Sequence, residues 1–310
     1  MPPIRIACVG EAMIELSGFD PVRGEARIGV AGDVLNTAIY LKRALGGAAE
    51  VAFVTALGDE SFSDLMLGVM AAEGLGTDLV ARLPGRAPGL YAISLDATGE
   101  RSFTYWRGES AARGMFGPGG VDMERLAGFD ALYLSGITLA ILPPGHRAAL
   151  IALCARLKRE GRLVAFDSNH RPRLWAGEDE ARAAYDAMWR ATTVALPSRD
   201  DEARLWPGET VEAALARLAG HGVAEVALKD GAEGPHLWTG GRPLPHGAYP
   251  PAPRVVDTTA AGDGFNAGYL AARLGGEGPQ AAGQAGHELA ARIVGHPGAI
   301  MARDRTERRP

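Results

Sequence analysis

The chain has 310 residues, of which 47% are hydrophobic and 22% charged, and a formal net charge of −5. This composition excludes a disordered chain, and the mild acidity excludes the positive field that attracts nucleic acid or an anionic membrane surface. Cys8 and Cys154 are too few to form a four-ligand metal site and are expected to be buried free thiols of a cytoplasmic protein.

In chain order, Ile4 to Val9 is an apolar run that predicts a buried strand. Glu11 and Glu15 interrupt the apolar character just after it, so no signal peptide is expected, and no run of about 18 apolar residues predicts a membrane span. Residues 33–46 predict a helix, because Val34, Ala38, Leu41 and Leu45 share one face. Val51 to Leu57 is the next strand and 62–73 the next helix. The alternation continues with a strand Ala131 to Ser135, a helix 144–160, a strand Leu163 to Asp167, a helix 178–190, a strand Thr193 to Leu196, a helix 210–219 and a strand Ala224 to Lys229. Strands that are apolar throughout, separated by helices, predict an α/β fold with a parallel sheet between two helical layers. The whole chain, 1–310, reads as a single domain.

Residues 11–30 and 87–107 break the pattern. Both are strand-like, with glycine-rich turns and no helix between paired runs. From Ser102 to Arg107 the sequence alternates, so Phe103, Tyr105 and Arg107 share a face. These segments predict a small β-sheet projecting from the body as a lid over a ligand cleft. Its open edges invite pairing with a second copy of the chain. The charged tail from Arg303 to Pro310 is expected to fray.

Several familiar motifs are absent. None of the three lysines (Lys42, Lys158, Lys229) follows a glycine, so there is no P-loop, and Gly74-Leu75-Gly76 and Gly262-Asp263-Gly264 lack the third glycine of a dinucleotide fingerprint. The strongest local signal is the segment Val255 to Gly268. There a strand is expected to end, the small residues Ala260, Ala261 and Gly262 come next, and a helix starts near Gly262. Backbone amides at a helix N-terminus, uncovered by small residues, form an anion site suited to a phosphoryl group. Asp263 in the first turn is placed to take a proton from an attacking hydroxyl, although such carboxylates also serve simply as helix caps. The residues alone leave both roles open.

Asp257-Thr258-Thr259-Ala260-Ala261-Gly262-Asp263 resembles the C-terminal signature D-T-x-G-A-G-D of the ribokinase-like (PfkB-type) carbohydrate kinases. Ala260 stands where glycine is usual, which implies a backbone that does not need positive φ. Ala31-Gly32-Asp33-Val34-Leu35-Asn36 resembles the family's early G-G-x-x-x-N element. Ser198-Arg199-Asp200-Asp201-Glu202 stands where the family has N-x-x-E, and Lys229 to Gly234 resembles its nucleotide loop. The resemblance runs from residue 10 to about 300. It implies a three-layer ribokinase-like fold with a β-sheet lid and ATP-dependent phosphorylation of a sugar.

Further runs, Tyr105 to Arg113 and Phe166 to Trp175, resemble the branch of the family that phosphorylates 2-keto-3-deoxy sugar acids at O6. The resemblance implies that Asp263 is the base and that the amides of Ala260, Ala261 and Gly262 hold the phosphoryl group. It implies that Gly32, Asp33 and Asn36 bind sugar hydroxyls, and that Tyr91, Tyr105, Arg107 and Arg171 bind the keto-acid end. ATP would lie on Asn169, Ser198, Lys229, Gly231 and Gly234, with Mg²⁺ held largely through water near Asp201 or Glu202. Arginine suits a carboxylate, but surface ion pairs are the commoner fate of any one arginine. A kinase for fructose or another sugar, or a non-catalytic sugar sensor, are the alternatives.

Overall fold

The computed structural model describes residues 2–20, 22–95 and 101–303. Residues 96–100 of the expected lid and 304–310 of the expected frayed tail lie outside the described residues. The strands are β1 (Ile4–Val9), β2 (Met13–Asp20), β3 (Glu25–Ala31), β4 (Ala49–Leu57), β5 (Val80–Arg82), β6 (Gly89–Leu95), β7 (Arg101–Trp106), β8 (Ala131–Ser135), β9 (Leu163–Asp167), β10 (Val194–Ala195), β11 (Glu225–Lys229), β12 (Pro235–Thr239) and β13 (Arg242–Pro243). The helices are α1 (Asp33–Leu45), α2 (Ser61–Ala72), α3 (Gly136–Ile141), α4 (Pro144–Arg159), α5 (Glu178–Arg190), α6 (Arg199–Leu205), α7 (Val211–Gly220), α8 (Ala261–Leu274) and α9 (Pro279–Val294).

The large sheet has the order β13-β12-β11-β10-β9-β8-β1-β4-β5. It is parallel from β5 through β11, and β12 and β13 add an antiparallel edge. Successive side chains of each central strand enter opposite cores, which is why those strands are apolar throughout. Ala7 and Val9 of β1 join Leu153 and Leu157 of α4 and Met188 and Trp189 of α5. Ile6 and Cys8 join Leu35 and Ile39 of α1, Tyr269 of α8 and Ile293 of α9. These two cores make three layers, as the sequence predicts. Cys8 and Cys154 are buried and free, and burial pushes the Cys154 thiol up to about 12.

The small sheet has the order β3-β2-β6-β7, with β2 and β6 parallel and both outer pairs antiparallel. Met13, Ala31 and Tyr91 on one face pack with Ala260, Ala299 and Ile300 of the body. The small sheet therefore packs against the residue that precedes α8 and the segment that follows α9.

Three expectations change. Residues 251–258 contain no strand; Val255 is 66% exposed, and the segment is held instead by hydrogen bonds from the Val256 and Asp257 amides to Val294 O. A valine pair suggests a strand locally, but no partner strand lies alongside. The strand expected at Thr193 to Leu196 shortens to β10. The β12–β13 hairpin and α9 add elements that the alternation did not signal.

Gly136 marks a tight crossing at the start of α3. A Cβ there would stand 2.0 Å from Ser168 O and 2.0 Å from the Tyr185 hydroxyl. Gly136→Ala is expected to destabilise the fold by about 1–3 kcal/mol through overpacking, measured by denaturant unfolding.

Candidate active site

The carboxyl ends of the parallel strands carry Ser135 on β8, Asp167 on β9 and Lys229 on β11. Ligand crevices of open α/β sheets lie at this end. The N-termini of α1 and α8 meet there too. Asn36 on α1 donates from Nδ2 to Asp263 Oδ2 at 2.8 Å, and the Thr37 hydroxyl donates to Asp263 O at 3.2 Å. Asp33, the first residue of α1, accepts from the Ser135 hydroxyl and from Asn169 Nδ2, the latter at 2.7 Å. Gly32 is required here by close approach, since a Cβ would stand 2.4 Å from Glu11 O.

Asp263 lies in the first turn of α8. Burial and then the neighbouring Asp33 carboxylate push its pKa well above the ordinary carboxylate value. The Asn36 hydrogen bond and the Lys229 charge act in the opposite direction. The first intrahelical bond of α8 runs from Gly264 N–H to Ala260 O at 2.9 Å, so the Gly262 and Asp263 amides precede the helical ladder. The Ala261 amide instead turns toward Thr258 O at 3.3 Å. Ala260 is left-handed, with φ +62°. This corrects the expectation that alanine there signals ordinary backbone. The chain must reverse sharply to start α8, and alanine accepts the strain that glycine would avoid.

A cavity of about 310 Å³ opens beside this turn. Ser198, Lys229, Gly231, Gly234, Ala261 and Gly262 line one part of it, and Phe265, Pro235 and Ala290 give an apolar wall. Most of the residues expected to hold a nucleotide thus meet the amides expected to hold a phosphoryl group. Gly234 has φ +84°, and a Cβ would stand 2.1 Å from the Tyr249 ring.

Asn169 does not line this cavity. Its amide is bound to Asp33 at the start of α1. Asp201 and Glu202 are also placed elsewhere. Asp201 accepts from the Ser168 hydroxyl at 2.9 Å and pairs with Arg204, while Glu202 is buried in an ion pair with Arg217. Burial raises Glu202 to about 7, against the pull of Arg217. Both acids fall on the inward face of a short helix, so their sequence position beside Ser198 does not bring them to the cavity. Among the described residues no group of three or more His, Cys, Asp or Glu could hold a metal.

The lid residues find carboxylate partners. Arg107 is ion-paired with Glu11, their side chains being 9% and 1% exposed. The Tyr91 hydroxyl donates to Glu15. Tyr105 is 47% exposed and stacks 5.7 Å from Tyr91 and 6.3 Å from Phe103. Arg107, expected to bind the keto-acid end, is thus engaged by a carboxylate of the chain itself. Arg171 is exposed, and its only hydrogen bond among the described residues goes to the carbonyl of His170.

Sequence reasoning missed Glu11, Glu15, Asp167 and Asn266. Two acids inside an apolar run were a signal for the first pair, since unpaired buried carboxylates are rare. Asn266 lies three residues after Asp263, on the same side of the helix.

A family description, pfkB family carbohydrate kinase, matches residues 4–305. The chain belongs to the pfkB family of carbohydrate kinases. It is 44% identical over 307 residues to a 2-dehydro-3-deoxygluconokinase of Escherichia coli, covering 97% of this chain and 98% of that protein. It is 45% identical over 303 residues to the 2-dehydro-3-deoxygluconokinase of Dickeya dadantii, covering 96% of each. The crystal structure of a PfkB protein from Polaromonas superposes with a TM-score of 0.79 at 29% identity, over 94% of this chain and 95% of that one. In this pfkB kinase the G-A-G-D signature reads Ala260-Ala261-Gly262-Asp263, and Ala260 takes the left-handed turn.

Ala260→Gly is expected to relieve that turn. A non-glycine residue at positive φ costs on the order of 1 kcal/mol, so the variant should melt a few degrees higher by calorimetry with its activity retained.

Proposed function

We propose that this pfkB kinase transfers the terminal phosphoryl group of ATP to O6 of 2-dehydro-3-deoxygluconate. The observation that carries the reading is the position of Asp263. It stands in the first turn of α8, next in sequence to Gly262, which lines the cavity and whose amide has no backbone partner among the described residues. Two relatives, each aligned with nearly the whole chain at 44% and 45% identity, are named for that sugar acid.

The cavity fits a nucleotide. Its volume falls within the ~300–1,000 Å³ of ordinary ligand pockets, and its lining mixes the glycines Gly231, Gly234 and Gly262 with the apolar residues Pro235, Phe265 and Ala290. ATP, when bound, supplies the phosphoryl group. Asp263 accepts the proton of the O6 hydroxyl, and Asn36 fixes the orientation of its carboxylate. The amides of Gly262 and Asp263 hold the phosphoryl oxygens, where the helix dipole adds positive potential. Asp33 and Asn169 meet sugar hydroxyls. Asp201 and Glu202 do not fit a Mg²⁺ site, because their carboxylates are committed to Ser168, Arg204 and Arg217. Buried thiols and the substrate pair support a cytoplasmic setting, and the exposed edge strands β3 and β7 support pairing of lids between copies.

Asp263→Asn is expected to lower kcat about 10²–10⁴-fold with ATP affinity nearly unchanged. The base works deprotonated and its pKa is raised, so activity is lost as pH falls through that raised value. The acid limb of kcat/KM in the wild type should therefore lie above the usual carboxylate range, and a limb at ordinary carboxylate pH would remove the assignment.

Substrate class has its own test. Arg171→Ala should raise KM for the acid about 10- to 150-fold, the worth of one charge-assisted hydrogen bond. An analogue with a neutral amide in place of the carboxylate should bind the wild type weakly and lose little more in the variant. Equal losses for acid and amide would favour a neutral sugar such as fructose.

A further inference from the structure

Lys229 is the last residue of β11, and its ammonium is held from two sides. Nζ donates to Asp167 Oδ1 at 2.9 Å and to Asn266 Oδ1 at 2.9 Å. Asn266 closes the triangle by donating from Nδ2 to Asp167 Oδ2 at 2.7 Å. The triangle is itself anchored, because the same amide nitrogen donates to the Tyr133 hydroxyl at 3.0 Å, and that hydroxyl also lies 3.2 Å from the Thr37 hydroxyl on α1. Asp167 and Asn266 are buried, and the Lys229 side chain is 11% exposed.

An ammonium has three donors. Two are taken, and among the described residues no third acceptor is present. Nζ stands 4.0 Å from the point that a Cβ on Gly262 would occupy, and Lys229 and Gly262 line the same cavity. The remaining N–H thus opens onto the first turn of α8. A counter-ion for Asp167 alone would not need Asn266. The amide adds direction, since two acceptors fix where the third donor points.

We propose that Asp167 and Asn266 are positioning residues that hold Lys229 as a cation aimed at the phosphoryl group in transit. The inference rests on the kinase reading above and deepens it. A lysine on its flexible stem would otherwise have to be ordered at the moment of transfer. Here it is ordered in advance, so its charge is in place where negative charge moves. Asp167 keeps the buried ammonium from standing alone in a poorly solvated site. Asn266 and Asp263 lie one helical turn apart, so the same helix sets the position of both the proton acceptor and the cation.

The test is a double-variant cycle with the full chain, using Lys229→Met, Asp167→Asn and the two together. Three quantities are read: melting temperature without ligand, kcat with KM for the sugar acid, and the dissociation constants of ADP and of the β,γ-imido analogue of ATP. Lys229→Met leaves Asp167 buried without its cation and should melt lower. The double variant carries no buried charge there and should recover most of that loss. Its kcat should stay about 10- to 150-fold below wild type, with KM for the sugar acid little changed. The imido analogue should bind Lys229→Met and the double variant weaker by a similar factor, while ADP changes less than about threefold. Asp167→Asn alone should lower kcat and leave KM for the sugar acid in place.

Recovery of kcat together with melting temperature in the double variant would make the pair purely structural and overturn the proposal. Equal weakening of ADP and the imido analogue would overturn it too, because Lys229 would then hold the nucleotide at large. Should Lys229→Met fail to fold, the double variant still gives both readouts. A wild type that binds the analogue but does not phosphorylate the sugar acid would sink the substrate reading, while the two dissociation constants would still decide the role of Lys229.

Discussion

Three carboxylates, those of Asp33, Asp167 and Asp263, crowd the mouth of the parallel sheet, and their repulsion is the constraint that the neighbouring side chains answer. Each receives its own donors. Ser135 and Asn169 serve Asp33, Lys229 and Asn266 serve Asp167, and Asn36 serves Asp263. Buried carboxylates without such partners would be driven neutral. Asp263 has the fewest donors, and burial together with its two acidic neighbours raises its pKa. A poorly stabilised carboxylate is a better proton acceptor, so the crowding that burdens the fold suits Asp263 to the role proposed for it.

The lid repeats the arrangement in another form. Glu11 and Glu15 bind Arg107 and Tyr91, and both acids lie where the chain leaves β1 to build the small sheet. Burial raises the Glu11 pKa, and the Arg107 charge pulls it back. The pair fixes the guanidinium beneath the lid. Gly32 presses its backbone on the carbonyl of Glu11, so the start of α1 and the base of the lid share one contact. Lid position and the placement of Asp33 are coupled by packing that no spacing rule announces.

The fold explains why residues so far apart in sequence act together. In a parallel sheet every strand ends on the same side, so loops after β8, β9 and β11 arrive at one rim. Helix α8 then brings its N-terminus to that rim from the far end of the chain. The left-handed Ala260 makes the reversal, and the next two residues, Ala261 and Gly262, line the cavity.

The sequence by itself determined the layer architecture, the presence of a small second sheet and the segment that carries the family signature. Apolar periodicity and strand–helix alternation are local properties, and burial on both faces of a parallel strand leaves a plain mark on composition. The run of small residues before Asp263 was legible for the same reason, because close backbone approach requires them. What only the tertiary structure decided is which partner each charged side chain takes. Arg107 went to Glu11, Asp201 to Ser168, Glu202 to Arg217, and Asn169 to Asp33. The left-handed turn at Ala260 and the missing strand before it belong to the same class. Such outcomes depend on distances of a few ångströms between segments separated by tens to hundreds of residues, and no local pattern encodes them.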